Sequence, residues 1–277
     1  MSDLRPRRRP SRKVRRRRAI VILSAIGVFG VVVVVSVILF SMNNRTEPVA
    51  TTPPPSPTPT PTPTPSVSAS ASAQGFDKTA QSIDDPSSYW VVVNKQRPLT
   101  VLGYEATDIV AVPVPYVNEP HLRQAASDAA VQMFAAITAE TGLELQAQSA
   151  YRSYSVQESV YAGWVDSLGQ EAADLTSARP GHSEHQTGLA IDVNALPDQG
   201  CALEPCWGDT PHAAWVAENA HRFGFIVRYQ DGQTAITGYE YEPYHLRYVG
   251  VDLATEMYTT GVKTMEEFFG LPAAPTY

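Results

Sequence analysis

Two short segments carry most of the chemistry this chain can do: His185-Gln186-Thr187-Gly188-Leu189-Ala190-Ile191-Asp192 and, fifty residues on, Glu242-Pro243-Tyr244-His245. Together they supply two imidazoles and two carboxylates. A hydrolytic zinc needs three N/O ligands with a fourth position left to water, and a second carboxylate off the metal can take that water's proton. The pair of segments therefore reads as a zinc site plus a general base.

The elements that hold these residues follow from backbone rules. His185 and Asp192 are seven apart, which in a straight strand would put them on opposite faces. Gly188 can adopt positive φ and break the alternation, so we expect an entry loop through His185 and a strand carrying Asp192. Glu242 precedes proline, which favours extended backbone and disfavours a helical Glu-x-x-His arrangement. We therefore expect Glu242 on a loop leading into the site, able to approach a metal-bound water without ligating the metal, and His245 at the start of a strand. The remaining histidines have humbler expectations: His121, His212 and His221 surface or capping roles on helices, and His182 a loop role.

Residues 75–277 have the size of one domain, and their patterning is mixed. Helices are expected over 119–140, with Leu122, Ala125, Ala126, Ala129, Met133, Phe134 and Ile137 on its apolar face and Gly142 ending it, and over 156–168 and 212–223. Strands are expected over 90–93, 143–149, 188–193, 224–229 and 245–249. Without regular βαβ alternation, the expected fold class is α+β: a small antiparallel sheet with helices packed on one side.

The N-terminal part speaks of place. Residues 1–18 hold ten Lys or Arg against one acid, and residues 19–42 form an apolar run. As a helix this run is roughly 36 Å long, enough to span a hydrocarbon core of about 30 Å. Its flanking arginines favour a cytoplasmic N-terminus, hence a single-pass type II membrane anchor with everything after it outside the cell. The competing reading, a cleaved secretory signal, would have a shorter apolar region and a small-x-small site where Asn43-Asn44-Arg45 stands. Residues 43–74 are rich in Pro, Thr and Ser and read as a disordered spacer, of which residues 45–74 could reach on the order of 90 Å as polyproline II. Residues 19–277 carry a formal charge of −16, against −7 for the whole chain, which argues against a nucleic-acid partner. Cys201 and Cys206 are expected to pair as a disulfide outside the cell, a cysteine metal site being the alternative.

The motifs also resemble a known family. Ser183-Glu184-His185-Gln186-Thr187-Gly188-Leu189-Ala190-Ile191-Asp192 is similar to the Ser-x-His-x-x-Gly-x-Ala-x-Asp motif of the VanY-type zinc D-alanyl-D-alanine carboxypeptidases. Glu242-Pro243-Tyr244-His245, followed by Arg247-Tyr248-Val249-Gly250, resembles their Glu-Pro-Trp-His motif. Ser149-Ala150-Tyr151-Arg152-Ser153 with Gln157 resembles their Ser-Gly-Tyr-Arg-Ser and downstream Gln, and Asn94-Lys95 with Pro98-Leu99 their opening strand. The resemblance implies that His185, Asp192 and His245 bind Zn2+ and that Glu242 is the general base. It also implies Arg152 beside the substrate carbonyl or carboxylate, with Ser183, Gln157 and Tyr244 as further substrate contacts. Tyr244 stands where tryptophan is usual and Ala150 where glycine is, differences that bear on pocket shape rather than on ligands. The expected function is a zinc D,D-carboxypeptidase acting on peptidoglycan stem peptides, with a monomeric catalytic domain. An endopeptidase or D,D-dipeptidase of the same chemistry, or a wall-binding module without turnover, is the alternative.

Overall fold

Alternation along four strands builds a sheet with one apolar and one polar face, and this division positions everything else. The computed structural model describes residues 75–277; the basic tail, apolar span and spacer expected over 1–18, 19–42 and 43–74 lie outside the described residues. Among the described residues no helix is long and apolar enough to cross a membrane.

A two-stranded ribbon, β1 (Ile109–Ala111) and β2 (His121–Arg123), precedes the main sheet. That sheet contains β3 (Glu144–Ser149), β4 (Ala190–Leu196), β5 (Phe225–Tyr229) and β6 (Glu242–Tyr248), antiparallel throughout in the order β3-β4-β6-β5. Leu145, Ala147, Ile191, Val193, Leu246 and Phe225 point to one face. They pack against Ala126, Ala130, Met133, Phe134 and Ile137 of helix α1 (Gln124–Thr141) and against Ala213 and Val216 of α4 (Pro211–Asn219). Burial of these side chains drives the packing, each worth about 1.5–3 kcal/mol when fully removed from water, less for alanine. The residues between them, Asp192, Asn194, His245 and Arg247, face the other way and are also buried.

Helices α2 (Tyr154–Leu168) and α3 (Gln170–Thr176) follow β3, and α5 (Thr234–Thr237), α6 (Val251–Thr260) and α7 (Met265–Phe269) lie in the last third. The helix ends follow local chemistry: Ser153 Oγ accepts from Val156 N, Thr210 Oγ1 accepts from Ala213 N with Pro211 as first helical residue, and Gly142, the stop expected from the sequence, ends α1 at φ 75°.

Four expectations need correction. Helix α1 begins at Gln124 instead of residue 119, because His121–Arg123 pair with β1, so that Leu122 is buried from a strand and His121 sits on β2. Residues 90–93 form no ladder: Val91–Val93 are buried, but the carbonyls of Tyr89 and Val91 accept from Arg247 and that of Val92 from Arg97. His212, expected at the surface, is buried on α4. Strand β6 starts at Glu242, so the general-base candidate is on the sheet and not on a loop.

That last difference has a local cause. Between β5 and β6 the register passes from Val227↔Leu246 to Tyr229↔Glu242, so β6 carries two extra residues there. Pro243 falls in this bulge, where its missing N–H leaves no ladder position empty, and the bulge re-aims Glu242 towards His245.

Candidate metal centre and active-site cleft

Register assembles the site. Asp192 on β4 is the direct cross-strand partner of His245 on β6 and also of Ser149 on β3, giving a row of three polar residues across the buried face. His185 enters from a 3-10 turn, Glu184–Thr187, that ends at Gly188 with φ 70°. A Cβ at Gly188 would overlap Ile109 Cδ1 and reach 3.0 Å from Arg123 Cγ, and the Gly188 carbonyl accepts from Arg123 N at 2.9 Å. Glycine is thus required twice, for the left-handed backbone and for the close approach of β2. The parity break read from sequence is where it was expected.

One donor atom each from His185, Asp192 and His245 lies within 4.8 Å of the others. His185 Nε2 is 3.3 Å from Asp192 Oδ2, and His245 Nδ1 is 3.0 Å from Asp192 Oδ1. The other ring nitrogens are occupied: His185 Nδ1 donates to Ala150 O at 2.6 Å, and His245 Nε2 faces Glu184 Oε2 at 3.4 Å. Each imidazole is thereby fixed with its remaining nitrogen turned to Asp192, where a cation shared with that carboxylate would lie, the outer-shell arrangement of metal-binding histidines. Two imidazoles and one carboxylate converging in a buried pocket, with no fourth protein donor among them, match the donor set of a catalytic zinc with one open position. Glu242 Oε2 is 3.9 Å from His245 Nδ1, beside the donors and outside their cluster.

Electrostatics separate the carboxylates. Burial alone would push Asp192 up, but the charge of His185 and hydrogen bonds from both imidazoles hold it far below the usual carboxylate range. Burial dominates at Glu242 and, without a metal, raises it to about 8 against the pull of His245. Burial takes His185 down to about 4, whereas at His245 the hydrogen bonds its ring donates to Asp192 and Glu184 overcome burial and raise it to about 9.

Arg152 lies at the edge of the same cleft, its Nη1 donating to Ser149 Oγ at 2.9 Å and its Nε to Gln157 Oε1 at 3.0 Å. Its charge acts on Asp192 and Glu242, though burial opposes it. Gln157, expected to touch substrate, is fully buried behind Arg152; its amide nitrogen donates to Ala178 O at 2.7 Å, so it braces the guanidinium. Ser183 and Tyr244 line the cleft, which encloses about 90 Å³. His182 is turned away, with Nδ1 at 2.8 Å from Asn94 O and its ring edge-on to Tyr277. A larger cavity of about 430 Å³ between α4, α6 and β5 contains none of the site's side chains.

Several wall residues were not anticipated. Val160 and Trp164 of α2, Tyr229 of β5, Tyr239 and Leu203 also line the cleft. Leu203 has φ 53°, unusual for a branched side chain, and sits inside the loop closed by the Cys201–Cys206 disulfide, whose Cα atoms are 5.6 Å apart. Glu184, Arg228 and Arg247, all buried beneath the histidines, were also missed as site residues. One signal existed for Arg247: in a strand, two residues after His245 is the same face.

A family model described as VanY, D-alanyl-D-alanine carboxypeptidase, matches residues 119–251. The protein named "Putative carboxypeptidase YodJ" from Bacillus subtilis (strain 168) is 39% identical over 194 residues, 68% of this chain and 70% of that protein. Among solved structures, the LdcB LD-carboxypeptidase superposes with a TM-score of 0.62 at 40% identity, covering 67% of this chain and 87% of that one. A glutamate-to-alanine variant of the vancomycin resistance D,D-pentapeptidase VanY, in complex with Zn(II), gives 0.54 at 32% identity, covering 64% and 97%.

Proposed function

This chain belongs to the VanY D-alanyl-D-alanine carboxypeptidase family, a family of metallopeptidases, and from that premise we propose that it is a zinc-dependent carboxypeptidase removing the terminal D-alanine of peptidoglycan stem peptides. The observation that carries this reading is the cross-strand pairing of Asp192 with His245, with His185 within 4.8 Å and Glu242 beside them.

His185 through Nε2, Asp192 through a carboxylate oxygen and His245 through Nδ1 would hold the ion. When bound, zinc supplies Lewis acidity, polarising the scissile carbonyl and acidifying water. Glu242 takes the proton of the attacking water, whose oxygen adds to the carbonyl carbon. Glu242 then gives that proton to the nitrogen of the departing D-alanine as the C–N bond breaks. Arg152, braced by Gln157 and Ser149, presents a fixed guanidinium that suits either the developing oxyanion or the C-terminal carboxylate. Trp164, Tyr229, Tyr239 and Tyr244 exclude water and give the peptide an apolar wall. The donor set, the family and the zinc complex of the VanY relative support this reading.

The bond cut is proposed as D-Ala-D-Ala. One observation favours a second reading, cleavage of a D-residue from an L-centre: the superposition on the LD-carboxypeptidase at higher identity than on VanY. Purified full-length protein with zinc should release one alanine from a pentapeptide ending in D-Ala-D-Ala and leave a tetrapeptide. Further trimming to a tripeptide, or action on the tetrapeptide alone, would establish the LD reading instead. No release from either peptide sinks both, and Glu242→Ala should abolish release while zinc stays bound.

We further propose that the residues 19–42 anchor the protein and the spacer over 43–74 lets this domain reach its substrate outside the cell. The arginine block beside the apolar run supports that topology.

A further inference from the structure

Below the metal cluster lies a buried ionic network that the reaction itself does not use. Glu184 Oε1 receives Arg228 Nε at 2.9 Å and Arg247 Nη1 at 2.8 Å, while Oε2 faces His245 Nε2. The side chains of Glu184, Arg228, Arg247 and Glu266 are all 0% exposed. Neither guanidinium is free to turn away. Arg228 is held from behind by Glu266, Nη1 to Oε2 at 3.0 Å and Nη2 to Oε1 at 2.7 Å, and Glu266 Oε1 also receives Asn94 Nδ2 at 2.9 Å. Arg247 is held by the carbonyls of Tyr89 and Val91 at 3.0 and 2.8 Å.

We infer that Glu184 is a positioning residue for His245: pinned between two fixed arginines, its free oxygen dictates that Nε2 of His245 carries the hydrogen and Nδ1 is presented bare to the metal. This rests on the reading of the site as a zinc centre. An ionised carboxylate has only acceptors, so it is complementary to an imidazole that donates from Nε2. The two oxygens divide the work, one saturated by cationic donors and one left for the ring. Because these side chains are fully buried, bulk water is not at hand to replace that acceptor.

The isosteric amide exposes the logic. In Glu184→Gln, the amide oxygen will turn to Arg228 and Arg247, because an NH2 group against two guanidinium forks would set donors against donors. The NH2 then faces His245 Nε2 and favours the tautomer with hydrogen on Nδ1, the nitrogen the metal requires. Glu266→Gln removes the same charge from the same network but does not touch His245, and serves as the control for a merely structural role.

The test is zinc affinity by chelator competition on the full-length chain, with thermal unfolding measured beside it. Glu184→Gln should raise the apparent Kd for zinc about 10- to 100-fold. Glu266→Gln should lower the unfolding midpoint yet keep the Kd within about twofold of wild type, a margin set by the lack of direct contact. Equal zinc affinity in wild type and Glu184→Gln overturns the inference while leaving the zinc reading intact; so does an equal loss in both variants. A wild-type chain that binds no zinc sinks both. Should Glu184→Gln fail to fold, proton–nitrogen spectra of the zinc-loaded wild type decide. A slowly exchanging hydrogen on His245 Nε2 is expected, and rapid exchange there overturns the assignment.

Discussion

At the scale of single residues, the site is a set of proton inventories. Without metal, His245 is raised to about 9 and Glu242 to about 8, so at pH 7 both carry protons that an ordinary histidine or glutamate would largely have lost. A cation on His245 Nδ1 must displace the proton there. Zinc binding at pH 7 should therefore release protons to the buffer, and apparent affinity should rise from pH 7 to 9 and level off above that. Calorimetry in two buffers of different ionisation heat reads the count; a pH-independent affinity across that range would contradict the assignment. Arg152 and Gln157 show how far a motif resemblance fixes a role. Both were expected at substrate, and only the hydrogen bond from Arg152 Nε to Gln157 Oε1 shows that the second acts through the first.

At the scale of elements, two departures from regular geometry make the site. The 3-10 turn Glu184–Thr187 with Gly188 delivers His185 to the face that carries Asp192, and the bulge at Pro243 brings Glu242 back beside His245. Replacing Gly188 by alanine should lower stability by roughly 1–3 kcal/mol, from left-handed backbone strain plus displacement of Ile109 and Arg123. Because the turn sets the His185 position, zinc affinity should fall as well. Urea unfolding and chelator competition check the two effects, and an alanine variant as stable as wild type would show that the turn can relax. The disulfide loop is a third such device, since it holds Leu203 at positive φ against the cleft.

At the scale of the whole domain, the charged network ties distant parts of the chain together. Asn94 comes from the segment before β1, Glu184 from the turn, Arg228 from β5, Arg247 from β6 and Glu266 from α7. Breaking a buried ion pair by removing one partner leaves an uncompensated charge. Arg228→Met, which leaves Glu266 without a cationic partner and Glu184 with Arg247 alone, should thus cost about 3–5 kcal/mol in denaturant unfolding. A loss below about 1 kcal/mol, the size of an exposed ion pair, would mean that water reaches the network.

The sequence determined the donor types, their spacing, the break at Gly188, the helix stop at Gly142 and the patterning that marks the strands, because each depends on residues within a few positions of one another. Tertiary structure alone decided that Asp192 pairs with His245, that Glu242 stands on a strand, and that Glu184 lies between Arg228 and Arg247. Those facts depend on the register of strands fifty residues apart, and on which face of a sheet each side chain meets once its neighbours have closed over it.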